Sequence, residues 1–239
     1  MFFSGLRLPG GRNSPGRYRM DLTSADWDRQ IGLIRGQVFG SELPSVSQLA
    51  ARRRDPFRVL VSTIISLRTK DEVTSAAAER LFTKADTPAG ILGLSEAEIA
   101  EAIYPAGFYR QKARQIRECS RIIGERFNGE VPRSRDELLE LPGVGLKTAN
   151  LTLNLGFGID AICVDTHVHR ISNRLGWVRT KTPDDTEGAL VLILPRRYWI
   201  EINSLLVTFG KTVCTPVSPF CSSCRLTEEC PRKGVTRYR

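Results

Sequence analysis

Leu141-Pro142-Gly143-Val144-Gly145-Leu146-Lys147-Thr148-Ala149 separates two helical patterns with a short turn. Pro142 ends the first helix, and the two glycines permit a tight turn whose backbone can lie close to a partner. The second helix starts at once, so its free N–H groups point out of the turn, which is a ready phosphate site. A lone Gly-x-Gly would be an ordinary helix–helix turn. Here the run is followed by Lys147 in a chain of net charge +9, and contact with DNA phosphates through Leu141, Gly143, Val144 and Gly145 is the better reading. Such a contact positions a protein on the duplex without reading its bases.

Outward from this turn the pattern is helical in both directions. Trp27, Ile31, Ile34 and Val38 recur at helix spacing after candidate caps Thr23 and Ser24. Pro56 opens an apolar segment, Phe57 to Leu67, whose all-round hydrophobicity predicts a buried helix. Ser95-Glu98 and Ser134-Glu137 fit the capping box, and Ala113, Ile116, Ile123 and Phe127 form another stripe. Further helices are predicted over 146–155, 166–175, 186–194 and 198–209. No segment alternates as a strand would. The expected fold class is all-α.

The chain has 239 residues, of which 41% are hydrophobic, enough for a real core and too many for general disorder. Its longest apolar stretch, Val59 to Leu67, is too short to span a bilayer, so no membrane partner is expected. With 35 Lys+Arg against 26 Asp+Glu, a polyanionic partner is expected. Residues 1–20 carry Arg7, Arg12, Arg17 and Arg19 with no acid, among several glycines and prolines, and read as a flexible basic leader. An organellar transit peptide, or a true start at Met20, would look the same.

Four of the six cysteines, Cys214, Cys221, Cys224 and Cys230, are spaced Cys-x6-Cys-x2-Cys-x5-Cys. Nothing signals secretion, which argues against a disulfide framework. Structural zinc usually takes two separated Cys-x2-Cys pairs, and only one is present. One loop with unequal spacers suits the four thiolates of a [4Fe–4S] cluster, the favoured reading, although either metal accepts four thiolates. Cys119 and Cys163 read as small buried hydrophobes.

Lys147 lies in the first turn of its helix, where most lysines are simply solvated. A catalytic amine must be deprotonated, which the helix dipole or a desolvating wall would favour. Asp165 in Val164-Asp165-Thr166-His167-Val168-His169-Arg170 is placed to cap the next helix. Alternate helical residues point about 200° apart, so His167 and His169 are not expected to share a metal.

These three features, in this order, resemble the endonuclease III family of base-excision DNA glycosylases. Leu141–Ala149 looks like its helix-hairpin-helix, Val164–Arg170 like its Gly/Pro…Asp segment, and Cys214–Cys230 has its cluster spacing. The resemblance runs from about residue 21 to the C-terminus. It implies two helical lobes with the active site between them: a six-helix barrel at 49–159, and a cluster-bearing lobe joining 21–48 to 160–239. It implies that Lys147 is the nucleophile at the sugar C1′ and Asp165 the essential carboxylate. A Schiff base followed by β-elimination would then nick the strand. Base extrusion needs a wedge. Gly107-Phe108-Tyr109-Arg110-Gln111-Lys112-Ala113 is similar to the family's intercalation loop, making Phe108 the candidate wedge and Lys112 a candidate DNA contact, although an aromatic there equally suits a core. Arg68, a candidate DNA contact, stands where the family commonly has the Gln that enters the space left by the flipped nucleotide; a plain phosphate contact is the alternative, and lesion and opposite-base preference stay open. The expected activity is removal of oxidised pyrimidines from double-stranded DNA with AP lyase action, by a monomer. The alternatives are a glycosylase for pyrimidine dimers or mismatched thymine and, in a different class, a non-catalytic helix-hairpin-helix module. Localisation would be cytoplasmic, with the nucleoid, in a bacterium or archaeon, and nuclear or mitochondrial in a eukaryote.

Overall fold

The computed structural model describes residues 22–239. The basic leader, 1–20, lies outside the described residues. Among those described there are helices and no strands, and no helix is long and apolar enough to cross a membrane. In chain order they are α1 (Ser24–Gln37), α2 (Ser45–Arg52), α3 (Pro56–Ser66), α4 (Asp71–Lys84), α5 (Pro88–Leu92), α6 (Glu96–Ile103), α7 (Tyr109–Arg126), α8 (Arg135–Leu139) and α9 (Leu146–Leu151). A π-helical turn, Thr152–Phe157, follows, then α10 (Thr166–Arg174), α11 (Pro183–Ile193), a 3-10 turn at Arg196–Tyr198 and α12 (Ile202–Thr212).

Local chemistry sets the helix starts. Thr23 and Ser95 form reciprocal capping boxes with Asp26 and Glu98. Asp55 accepts from the amides of Phe57 and Arg58, and Pro56 occupies the first turn of α3. Ser134 accepts from the amide of Glu137, but the bond is not returned and α8 is a single short turn of helix. The predicted helices over 146–155 and 198–209 differ from expectation. The 146–155 helix changes to π geometry after Leu151, where Gly156 lies so close to α3 that a Cβ would sit 2.8 Å from Pro56 Cα. The 198–209 helix begins only at Ile202. Pro195 sets a tight turn first, and Trp199 is held by its Nε1 donating to Leu194 O at 2.8 Å.

Side chains from α3 to α9 bury one apolar core, with Leu60, Ile64, Leu81, Ile91, Ile103, Ile116 and Ile123 fully inside. A second core takes Trp27, Ile31 and Ile34 from α1, and Val168, Ile171, Trp177, Leu190, Leu206 and Phe209 from the C-terminal part. Cys119 belongs to the first core, while Cys163 joins Val46, Val59 and Leu151 in a small junction cluster. Buried amides cross this junction: Asn150 Nδ2 donates to Ile162 O at 2.8 Å, Asn154 Nδ2 to Ala161 O at 2.8 Å, and Asn203 Nδ2 to Cys163 O at 3.2 Å. They satisfy the main chain of the segment that carries Asp165 from one core to the other.

Candidate active site

The hairpin is held from below. Leu141 and Val144 are buried in the first core, so their side chains cannot reach a duplex and only their main chain is available. Gly143 has φ +79°, and a Cβ there would lie 2.5 Å from the Gln115 side chain. Gly145 starts α9 with no capping side chain, and the first amide of α9 with a backbone partner is Ala149, on Gly145 O at 2.9 Å. The earlier amides at that helix mouth are the donors an anion would meet.

A cleft of about 970 Å³ opens beside the hairpin. Its wall brings together Arg68, Phe108, Lys112, Gly143, Lys147 and Asp165; Leu141, Val144 and Gly145 lie outside it. Lys147, the second residue of α9, is half-buried, and its amine makes no ion pair or side-chain hydrogen bond among the described residues. Asp165 caps α10: Oδ1 accepts from the amides of His167 and Val168, both at 2.9 Å. His167 lines the same cleft, with its pKa lowered chiefly by burial. His169 instead bonds Thr186 Oγ1 through Nδ1 at 2.6 Å, so the two imidazoles do not converge on a metal.

Two loops form the lip, and both do something unusual. Arg68 has φ +52° and Phe108 φ +56°, left-handed conformations that cost bulky residues. The Arg68 guanidinium lies 5.6 Å from the Phe108 ring centroid. Phe108 is 61% exposed, which excludes the core alternative for that residue. Lys112 corrects the sequence reading. It is 3% exposed, and its Nζ donates to Ile65 O at 2.7 Å, Leu67 O at 2.5 Å and Thr69 Oγ1 at 2.9 Å. An ammonium has three donors, so none is left for a phosphate. Burial, helped by the charge of Lys147, lowers its pKa to about 8. The cleft also takes in residues that the sequence reading passed over: Gln111 and Gln115 from α7, Asp184 from α11, and Lys211, which pairs with Asp71. Gln111 and Gln115 sit one helical turn apart on α7, the only sequence hint of a shared face.

Residues 61–196 match the family model of the HhH-GPD superfamily base excision DNA repair protein. The chain is 50% identical over 191 residues to the endonuclease III of Thermotoga maritima, covering 79% of this chain and 90% of that protein. The chain belongs to the endonuclease III family. It is also 42% identical to the bovine endonuclease III-like protein 1, over 86% of this chain and 71% of that one. A solved structure of a trapped endonuclease III–DNA covalent intermediate superposes with TM-score 0.78 at 34% identity, covering 88% of this chain and 97% of that chain. As a member of the endonuclease III family the protein is a base-excision DNA glycosylase.

The cysteine loop of this family member lies on the second core. Cys214, Cys221, Cys224 and Cys230 line one pocket with Leu175, Phe209, Val213 and Phe220. Among the described residues no group of three or more His, Cys, Asp or Glu is gathered as a single ion would need. Two N–H groups address the sulfurs: Arg174 Nη1 lies 3.4 Å from Cys214 Sγ, and the amide of Arg232 donates to Cys230 Sγ at 3.4 Å. Such donors stabilise thiolates, as a polynuclear cluster requires. Burial, opposed by the Arg232 amide and reinforced by the neighbouring Cys214, Cys224 and Cys221, pushes the Cys230 thiol up to about 11, so a metal would have to supply the charge that deprotonates it.

Proposed function

We propose that the protein removes oxidised pyrimidines from duplex DNA and cuts the resulting abasic strand through a Schiff base on Lys147. The observation that carries this reading is the unpaired Lys147 amine in the same cleft wall as Asp165. The lysine Nζ attacks the sugar C1′ as the base leaves, and the imine that forms labilises a C2′ proton, so that β-elimination breaks the 3′ C–O bond. In this reading Asp165 offsets the positive charge that the sugar develops as the base departs and accepts the proton the amine sheds. The hairpin amides hold phosphate, while Phe108 and Arg68 enter the space the extruded nucleotide vacates.

The same reading gives Cys214, Cys221, Cys224 and Cys230 a [4Fe–4S] cluster, since four thiolates spread around one pocket suit a cuboid better than one tetrahedral ion. Its contribution is structural: it folds the loop onto the second core. The protein acts as a monomer, and nicking needs no second copy to complete the cleft. Borohydride reduction in the presence of abasic duplex should leave protein covalently bound to DNA, and Lys147→Ala should abolish the adduct. Equal trapping by that variant would overturn the assignment. A panel of oxidised pyrimidines, pyrimidine dimers and mismatched thymine, scored by base release, reads out the lesion class. Bound DNA with no base released anywhere in the panel would leave a binding module only.

A further inference from the structure

Lys112 Nζ gathers acceptors from the end of α3 and from the loop after it: Ile65 O, Leu67 O and Thr69 Oγ1. Thr69 Oγ1 also accepts from Gly107 N at 3.1 Å. Gly107 precedes Phe108, and a Cβ on it would lie 2.6 Å from Arg68 O. The two lip loops therefore meet backbone to backbone, with one buried ammonium and one hydroxyl between them. On either side of this knot stand the two left-handed residues whose side chains stack over each other, Arg68 and Phe108. Conformations of that kind persist only where the surroundings over-determine them. A buried cation is costly to keep, and a methionine of similar length would fill the same space without charge.

We infer that Lys112 is a positioning residue of the glycosylase: its ammonium clamps the Arg68 loop to the Phe108 loop, so that both side chains enter the duplex as one preset unit. This rests on the proposed function only in requiring that a base be extruded. The clamp does not touch the sugar. It holds Phe108 and Arg68 at the lip while Lys147 and Asp165 act behind them. Its loss should therefore tell on substrates where a stacked base must be displaced, and far less where none is.

The test uses the full-length holoenzyme and two DNAs: a duplex with an oxidised pyrimidine, and a single strand with an abasic site. Lys112→Met should lower kcat/KM on the duplex by about tenfold or more and on the single strand by less than about threefold. In a background of Arg68→Ala with Phe108→Ala, the added loss from Lys112→Met should vanish, because the clamp then has nothing to position. Gly107→Ala, which keeps Lys112 but forces the loops apart, should show the same selectivity, and Thr69→Val a weaker form of it. These two carry the test if Lys112→Met does not fold. Equal losses on both DNAs, or an undiminished loss in the double-alanine background, overturn the clamp. A 2-aminopurine beside the lesion reports extrusion without any chemistry. If wild-type protein extrudes the base but never forms the borohydride adduct, the Schiff-base reading fails while the clamp is still measured by the fluorescence change.

Discussion

Asp165 commits one oxygen to structure and leaves the other for the chemistry proposed above. Oδ1 caps α10 through the amides of His167 and Val168, which pins the carboxylate at the cleft edge. Oδ2 makes no hydrogen bond or ion pair among the described residues and is left for the cleft. Asparagine caps as well as aspartate but carries no charge. Asp165→Asn should therefore melt with the wild type yet lose about 100-fold or more in single-turnover base release. Asp165→Ala should lose the same activity and about 1 kcal/mol of stability besides. Melting curves read beside base release separate the two duties, and an active Asp165→Asn would reduce Asp165 to a cap.

The hairpin poses a similar question at the scale of an element. Gly143 needs its positive φ and has the Gln115 side chain against it, so Gly143→Ala should cost about 1–2 kcal/mol and loosen the turn. Gly145 has φ −101° and open space where a Cβ would go. Gly145→Ala should fold and melt like the wild type but bind duplex more weakly, because a methyl group would stand between helix mouth and phosphate. Anisotropy titrations at several salt concentrations check this, and unchanged affinity would remove Gly145 from the interface. These elements show what a sequence makes legible. The hairpin, the Asp165 cap and the buried α3 could all be read because their signals are local: a proline, two glycines, a short polar residue before an apolar run. The start of α11 was equally local, a Thr182–Asp185 box with Pro183 in the first turn, although the predicted helix began four residues past that cap. The π turn after Leu151 and the burial of Lys112 could not be read. Each depends on a partner distant in the chain, Pro56 for the first, and Ile65, Leu67 and Thr69 for the second.

Across the whole molecule, Lys147 and Asp165 stand on different cores. Lys147 heads α9, packed with α3 and α8 in the first, whereas Asp165 heads α10, whose Val168 and Ile171 belong to the second. The second core is also the discontinuous one: α1 returns to it through the Trp27–Trp177 ring contact at 4.8 Å and through Trp177 Nε1 donating to Gln30 at 2.6 Å. Cys214, Cys224 and Cys230 pack against its edge. All 3 tryptophans of the chain, Trp27, Trp177 and Trp199, lie in or against this core, so their emission reports on it alone. Far-UV ellipticity reports on both cores. If the four cysteines hold a cluster, stripping its iron leaves a loop without its central tie, and the second core should loosen first. The expected result is red-shifted tryptophan emission with only partial loss of helical signal, since the first core contains none of the four ligands. Activity should fall with the emission shift although neither proposed catalytic side chain lies among the four cysteines, because a loosened second core would no longer hold Asp165 in the cleft wall it shares with Lys147. Emission and ellipticity changing together would make the two cores one cooperative unit, and no change in either would take the cluster out of the fold's support altogether.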